Sequence, residues 1–203
     1  WDFGTAEMGN NATHELDIAR WALDAKYPER VDVVACKRQF KDDGWEMYDQ
    51  MEATFTFAKD RRIIWDGDSR NAYKKYGRGR GTIIYGSKGL VMVDRGGYEL
   101  YDLKGNLVKE QKSSGSEGGL ALGGGGNLTT RHVTNFFDAI RGKAALTSSI
   151  EVGAISQMLT HYANISYRIK KGFDVDEKSG KIFDREAMQL WSRTYEPGWE
   201  PKL

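Results

Sequence analysis

Three histidines, His14, His132 and His161, are the side chains that titrate closest to neutrality. His14 stands in the segment Gly9-Asn10-Asn11-Ala12-Thr13-His14-Glu15-Leu16-Asp17, in the first turn of an expected helix and three residues before Asp17. That spacing lets the Asp17 carboxylate share a helix face with the imidazole and orient it. A neutral imidazole is the natural acceptor for an alcohol proton, and Asn10 and Asn11 in the preceding loop would bring a ligand hydroxyl close. On the residues alone a second role stays open, in which His14 caps the helix or is a satisfied buried polar group. His132, near the start of a later helix, divides between a substrate contact and a surface or capping role. His161 lies among Thr160, Asn164 and Arg168 on a polar stripe that lines a cleft or an interface, or makes a structural hydrogen bond.

Several chemistries are excluded. His14-Glu15 lacks the second histidine four residues on that a zinc-protease helix needs, because Ile18 stands there. The histidines are scattered and Cys36 is the single cysteine, so no metal site is expected. A dinucleotide fingerprint requires Gly-x-Gly-x-x-Gly between a strand and a helix. Gly77, Gly79 and Gly81 instead lead into a strand, and Gly123 to Gly126 follow no strand. No phosphate-binding loop or serine nucleophile elbow is present. No cofactor is therefore expected in this chain itself.

The elements that must position these residues fall into three zones. Leu16, Ala19 and Leu23 recur at helical spacing from Thr13 to Ala25, with Pro28 as the stop. A meander follows, with strands at Val31–Ala35, Met51–Phe57, Arg61–Trp65, Thr82–Tyr85, Leu90–Val93, Tyr98–Tyr101 and Leu107–Glu110. Its connections are too short for parallel crossovers, so about six or seven antiparallel strands are expected. A Gly/Ser-rich loop, Ser113 to Gly126, opens the third zone. Thr129 or Thr130 would cap a helix through Arg141 whose apolar stripe is Val133, Phe136, Phe137 and Ile140. Ser148 and Glu151 read as a capping box for a long helix that buries Ile155, Leu159, Tyr162 and Ile169 and ends at Gly172. A hairpin around Ser179-Gly180 and a helix from Asp184 to about Tyr195 complete the chain. Trp191 and Trp199 suit core or interface anchoring. The expected class is α+β, an open and predominantly antiparallel sheet with helices packed on one face.

With 203 residues the chain has one sizeable core, so residues 1–203 are read as one domain. A net charge of +1 with scattered basic residues gives no reason to expect nucleic acid or an anionic membrane as partner. The densest basic group, Lys74, Lys75, Arg78 and Arg80, divides between a solvated loop and an anion site. No apolar run approaches the roughly 20 residues of a membrane span. The compartment stays open between cytoplasm and bacterial periplasm. The first residue is Trp1 rather than Met, and an upstream segment is expected to have preceded it.

The segment Gly9 to Trp21 resembles the central helix of the Gfo/Idh/MocA oxidoreductase family. Later landmarks are similar in the same order: Gly81-Thr82 to Gly89, His132-Val133-Thr134-Asn135-Phe136-Phe137-Asp138-Ala139-Ile140-Arg141, and His161-Tyr162-Ala163-Asn164-Ile165. The resemblance implies a C-terminal substrate and oligomerisation domain whose Rossmann half precedes it. It implies NAD or NADP, bound mainly by that half, and oxidation or reduction of a sugar, inositol or related polyol. His14 takes the place of the family's catalytic histidine, the proton acceptor from the substrate hydroxyl. Many members carry an Asp four residues earlier, where this chain has Asn10; an amide holds a hydroxyl but cannot raise the imidazole's basicity by charge. Two other functions compete: NAD-dependent glycoside hydrolysis by oxidation and elimination, and a non-catalytic assembly module. An open sheet must be covered, and a second copy is the commonest cover, so a homo-oligomer through the sheet is expected.

Overall fold

The computed structural model describes residues 1, 4–112 and 126–202. The first helical segment starts earlier than its periodicity suggests. A π-helical turn, Met8–Ala12, runs directly into helix α1, Thr13–Ala22. The Gly-Asn-Asn stretch is thus helical, not a loop, and His14 lies inside a continuous helix. Gly9 permits this, since a Cβ there would lie 1.7 Å from the Thr5 hydroxyl oxygen. The chain leaves α1 through Asp24, whose φ is 46°.

Strands β1 (Arg30–Cys36), β2 (Gln50–Phe57) and β3 (Arg61–Asp68) pair antiparallel, with Phe55 opposite both Val31 and Ile63. In β2 the alternation is realised directly: Met51, Ala53, Phe55 and Phe57 are buried, while Glu52 faces water. Lys59 and Asp60 both take left-handed φ values of 63° and 56°, which turns β2 into β3. Strands β4 (Thr82–Gly86), β5 (Gly89–Asp94), β6 (Gly97–Asp102) and β7 (Leu107–Lys112) form a second hairpin series.

The single meander of six or seven strands is therefore divided. Among the described residues there are two four-stranded antiparallel sheets, in the orders β3-β2-β1-β8 and β4-β5-β6-β7. The link between β3 and β4 turns at Tyr76 and Gly77, both at positive φ, and β4 then packs against α1 instead of β3. The short β8 (Phe173–Asp174) returns to pair with β1. The expected hairpin around Ser179-Gly180 is present, closed by a bridge between Val175 and Ile182.

Helix α2 (Gly126–Ile140) begins before Thr129 and stops at Gly142, whose φ is 69°. The rest of the Gly/Ser-rich loop lies outside the described residues. The stripe Val133, Phe136, Phe137 and Ile140 is exposed, because no other described element packs broadly against α2. Helix α3 (Ile150–Ile169) is capped by Ser149, whose hydroxyl accepts from the Val152 N–H at 3.4 Å, one residue later than the Ser148 expectation. It ends at Lys170, in the left-handed region at φ 57°, ahead of Gly172. Gly172 has another task, since a Cβ there would meet the Asp32 carboxylate and the Val31 carbonyl. Helix α4 (Arg185–Met188) is far shorter than the span to Tyr195; Asp184 caps it through the N–H groups of Glu186 and Ala187. The class is α+β, with helices against one side of open sheets.

The core gathers Met8, Leu16, Val31, Phe55, Phe57, Leu159, Tyr162 and Ile182 between β1–β3 and the helices α1 and α3. Burying such side chains contributes about 1.5–3 kcal/mol each. The two helices run antiparallel, held by buried Arg20. Its guanidinium donates to the Ser156 hydroxyl (2.8 Å) and to the carbonyls of Ala25 (2.9 Å) and Val152 (3.2 Å). The Asp17 carboxylate lies 3.7 Å away. Truncation orphans several of these partners at once. Arg20→Ala is expected to cost about 2–4 kcal/mol in denaturant unfolding; a loss below 0.5 kcal/mol contradicts the brace.

Candidate active site

An open cleft of about 920 Å³ lies where the N-terminal segment meets the loop before β2. Trp1, Thr5, Glu7 and Asn10 form one wall, and Trp45, Tyr48, Ser69 and Arg70 contribute to the other. Both walls are tied to α3 by one buried amide. Asn164 accepts from the Tyr48 hydroxyl at 2.8 Å and donates to the Thr5 carbonyl at 2.8 Å. Desolvation raises the Tyr48 phenol above its ordinary value, which keeps it a neutral donor. Arg168, one turn further along, lies over the Trp1 ring at 5.4 Å. The polar stripe on α3 thus underlies this cleft through Asn164 and Arg168, while Thr160 is fully buried.

The loop carrying Trp45 and Tyr48 is fastened by Asp49. Its carboxylate accepts from the backbone N–H of Arg38 (2.9 and 3.1 Å) and of Gln39 (2.8 Å). Burial works to raise this carboxyl, but the N–H groups of Arg38, Gln39 and Asp49 itself outweigh it and hold the group below the ordinary aspartate value. The Asp49 carbonyl in turn accepts from the Ser69 N–H at 2.9 Å, joining the two halves of that wall.

The predicted site residues separate. His14 is exposed on α1 and, among the described residues, its side chain has no hydrogen bond or ion pair. Asp17 does not serve its ring: the carboxylate accepts from the Ser156 hydroxyl and lies beside Arg20. Asn10 is exposed and borders the cleft. Asn11 is half-buried, and its carbonyl oxygen accepts from Arg80 at 2.8 Å. His132 is exposed on α2. His161 reaches the surface on α3, yet the surrounding protein withholds enough water to push its imidazole below the ordinary histidine value. No hydrogen bond or ring contact joins His132 or His161 to His14 among the described residues.

The sequence did not single out Glu7, and marked Arg80 only as one of a basic group. Glu7, seven residues before His14, accepts from the Asn10 side-chain amide at 3.3 Å and from that of Asn11. Arg80 clasps Glu15 through two bonds, at 2.9 and 3.2 Å, and so fixes β4 against α1. The neighbouring cations are likewise paired, Arg78 with Asp94 and Glu99 and Lys75 with Asp66, so these form ion pairs rather than an anion site. A carboxylate seven residues before the histidine was the available signal for Glu7; the basic group containing Arg80 was visible, but nothing local marks Glu15 as its partner. Among the described residues no group of three or more His, Cys, Asp or Glu is placed to hold a metal ion, and no helix is long and apolar enough to cross a membrane.

No known family model and no curated protein matches the chain. Solved structures do. The chain is similar to an oxidoreductase from Agrobacterium radiobacter in complex with NAD+, L-tartaric acid and magnesium, at 15% identity over 81% of this chain and 48% of that one, with a TM-score of 0.59. Levoglucosan dehydrogenase in complex with NADH matches at 17% identity over 84% and 50%, with a TM-score of 0.57. An inferred myo-inositol dehydrogenase from Sinorhizobium meliloti 1021 matches at 18% identity over 85% and 53%, with a TM-score of 0.56. The chain thus shares the fold of one part of these oxidoreductases and spans about half the length of each.

Asp49 offers a direct test of the cleft wall. Its lowered pKa means that its stabilisation is present above the unfolded-state aspartate value and is lost as pH falls through the folded one. Asp49→Asn is expected to cost about 1–2 kcal/mol at neutral pH and to flatten the acid limb of stability against pH. Urea titrations between pH 3 and 7 check this; an unchanged acid limb contradicts it.

Proposed function

We propose that this chain is the substrate-side domain of an NAD(P)-dependent oxidoreductase of the Gfo/Idh/MocA family, acting on a sugar, inositol or related polyol. The observation that carries the reading is His14: exposed, without a hydrogen-bond or ion-pair partner among the described residues, and one turn beyond Asn10 at the cleft edge, in a fold shared with oxidoreductases solved in complex with NAD+ and NADH. A histidine tied into the core, as Arg20 and Asp17 are, would be poorly suited to meet a substrate. The identity of the matched proteins, a levoglucosan dehydrogenase and an inferred myo-inositol dehydrogenase among them, supports polyols as the substrate class.

The described part of this chain offers no strand-to-helix glycine cradle for a pyrophosphate, so the nicotinamide cofactor belongs on a preceding Rossmann half. When bound there it would supply the hydride acceptor. The residues of this chain do the rest. His14 takes the proton from the substrate hydroxyl as the carbon is oxidised, and returns it in the reverse direction. Asn10 fixes a hydroxyl beside it, Asn11 is assigned a supporting role through the Glu7 carboxylate that both amides share, and Trp1, Trp45 and Tyr48 shield the cleft from water on one side. His132 and His161 are assigned to the substrate's outer rim, His161 through a ring whose depressed pKa favours the neutral form. The open outer sheet faces are assigned to self-association.

The test uses the complete polypeptide that contains this chain. Reduction of NAD+ and NADP+ is followed with myo-inositol, glucose, levoglucosan and L-tartrate, with wild type and His14→Ala. The variant is expected to lose about 10²-fold or more in kcat while keeping its cofactor affinity. Unchanged turnover removes His14 from the mechanism.

A further inference from the structure

We infer that Glu7 is a positioning residue that turns the Asn10 side chain into a one-sided hydrogen-bond acceptor for a substrate hydroxyl, an inference that rests on the polyol oxidoreductase reading above. A carboxylate can only accept, so the atom that Asn10 turns toward Glu7 must be its NH2 group. The bond is present at 3.3 Å, and the Asn11 amide nitrogen is held by the other oxygen of the same carboxylate. For Asn11 the consequence is visible within the structure, since its carbonyl oxygen points away and accepts from Arg80 at 2.8 Å. For Asn10 the corresponding oxygen has no partner among the described residues, and the residue is exposed at the cleft that Glu7 also lines. An acceptor oriented in this way presents to a hydroxyl what a carboxylate oxygen would present, without placing a second negative charge at that position. Glu7 carries the charge one turn further back.

The local backbone supports this assignment. In the π-turn Met8–Ala12, Met8 and Ala12 face the core while Asn10 stays exposed. Gly9 is the residue that lets the turn pass Thr5, and the Thr5 carbonyl is fixed by Asn164 on α3. Glu7 therefore sits on a segment anchored from behind, so its carboxylate can hold two amides in place rather than follow them.

The experiment combines Glu7→Met, which keeps the side-chain stem and removes both acceptors, with Asn10→Asp in the complete polypeptide. Steady-state kinetics use the best substrate of the panel above, and the side-chain amide signals of Asn10 are followed by asparagine-selective 15N labelling. Glu7→Met is expected to raise KM about 5- to 10-fold with kcat within about twofold, and to erase the distinct, slowly exchanging Asn10 NH2 signals. Asn10→Asp alone is expected to raise KM as well, because two carboxylates then face each other. The double variant is expected to return toward wild-type KM, since Asp accepts without being held and its repelling neighbour is gone. Glu7→Gln, the milder change, keeps one acceptor and is expected to fall between, which keeps the test decisive where Glu7→Met does not fold. Asn10 signals or KM unchanged by loss of the Glu7 acceptors, or a double variant no better than the worse single one, would overturn the inference. A wild type inert toward the whole panel with both cofactors overturns the oxidoreductase reading and the hydroxyl role of Asn10 with it, whatever the amide signals show.

Discussion

The site depends on how α3 satisfies the polar side chains it buries. Ser156, Thr160, Asn164 and Ser166 lie on its inner side, and a buried polar group left unpaired costs about 1–3 kcal/mol. Each finds a partner, and through Asn164 the pairing reaches both walls of the cleft. Ser156 takes Arg20 and Asp17 from α1. Asn164 takes the Thr5 carbonyl and the Tyr48 hydroxyl, one from each wall. Gln157 joins Thr160 to Thr13, directly beside His14. Ser166 closes the C-terminal end on the Lys171 carbonyl. An all-apolar helix would bury more area but would leave α1 and the cleft loop free to slide.

That accounting explains why Asp17 departs from the role its spacing suggests. On an isolated helix, Asp17 and His14 are neighbours. In the folded chain Asp17 is claimed by Ser156 and Arg20, so its charge stabilises a structural guanidinium. The carboxylate that engages the proposed site's amides is instead Glu7, through Asn10 and Asn11. With Asn at position 10 and a carboxylate at position 7, the charge sits one turn back and an amide borders the cleft.

Elements with a strong local pattern were legible in the sequence. The β2 alternation, the glycine turns of β4–β7 and the apolar face of α3 depend on neighbours two to four residues apart, and the α+β class follows from them. The division into two sheets was not legible, because β4 packs on α1, where Arg80 meets Glu15 across 65 residues of chain. The π-turn was missed because glycine and asparagine favour loops, and only tertiary anchoring of Thr5 makes the helical path preferable. At the proposed site, His14 and Asn10 could be named in advance only where type and spacing were joined to the family resemblance, since spacing alone left a capping or buried role open. Glu7, Asn164 and the Asp49-fastened wall were not, since their importance lies in partners distant in sequence. The exposed stripe of α2 was read correctly as apolar, but periodicity does not say what an apolar face will meet.

The central claim is that residues of this chain receive a polyol whose C–H bond is broken as hydride while His14 takes the hydroxyl proton. It is tested most directly by turnover of a substrate deuterated at the carbon to be oxidised, in the complete polypeptide, with the product nicotinamide examined by mass spectrometry. The account predicts one deuterium in the reduced cofactor per molecule of carbonyl product formed. Carbonyl product without deuterium in the cofactor, or deuterium lost wholly to solvent, would contradict it.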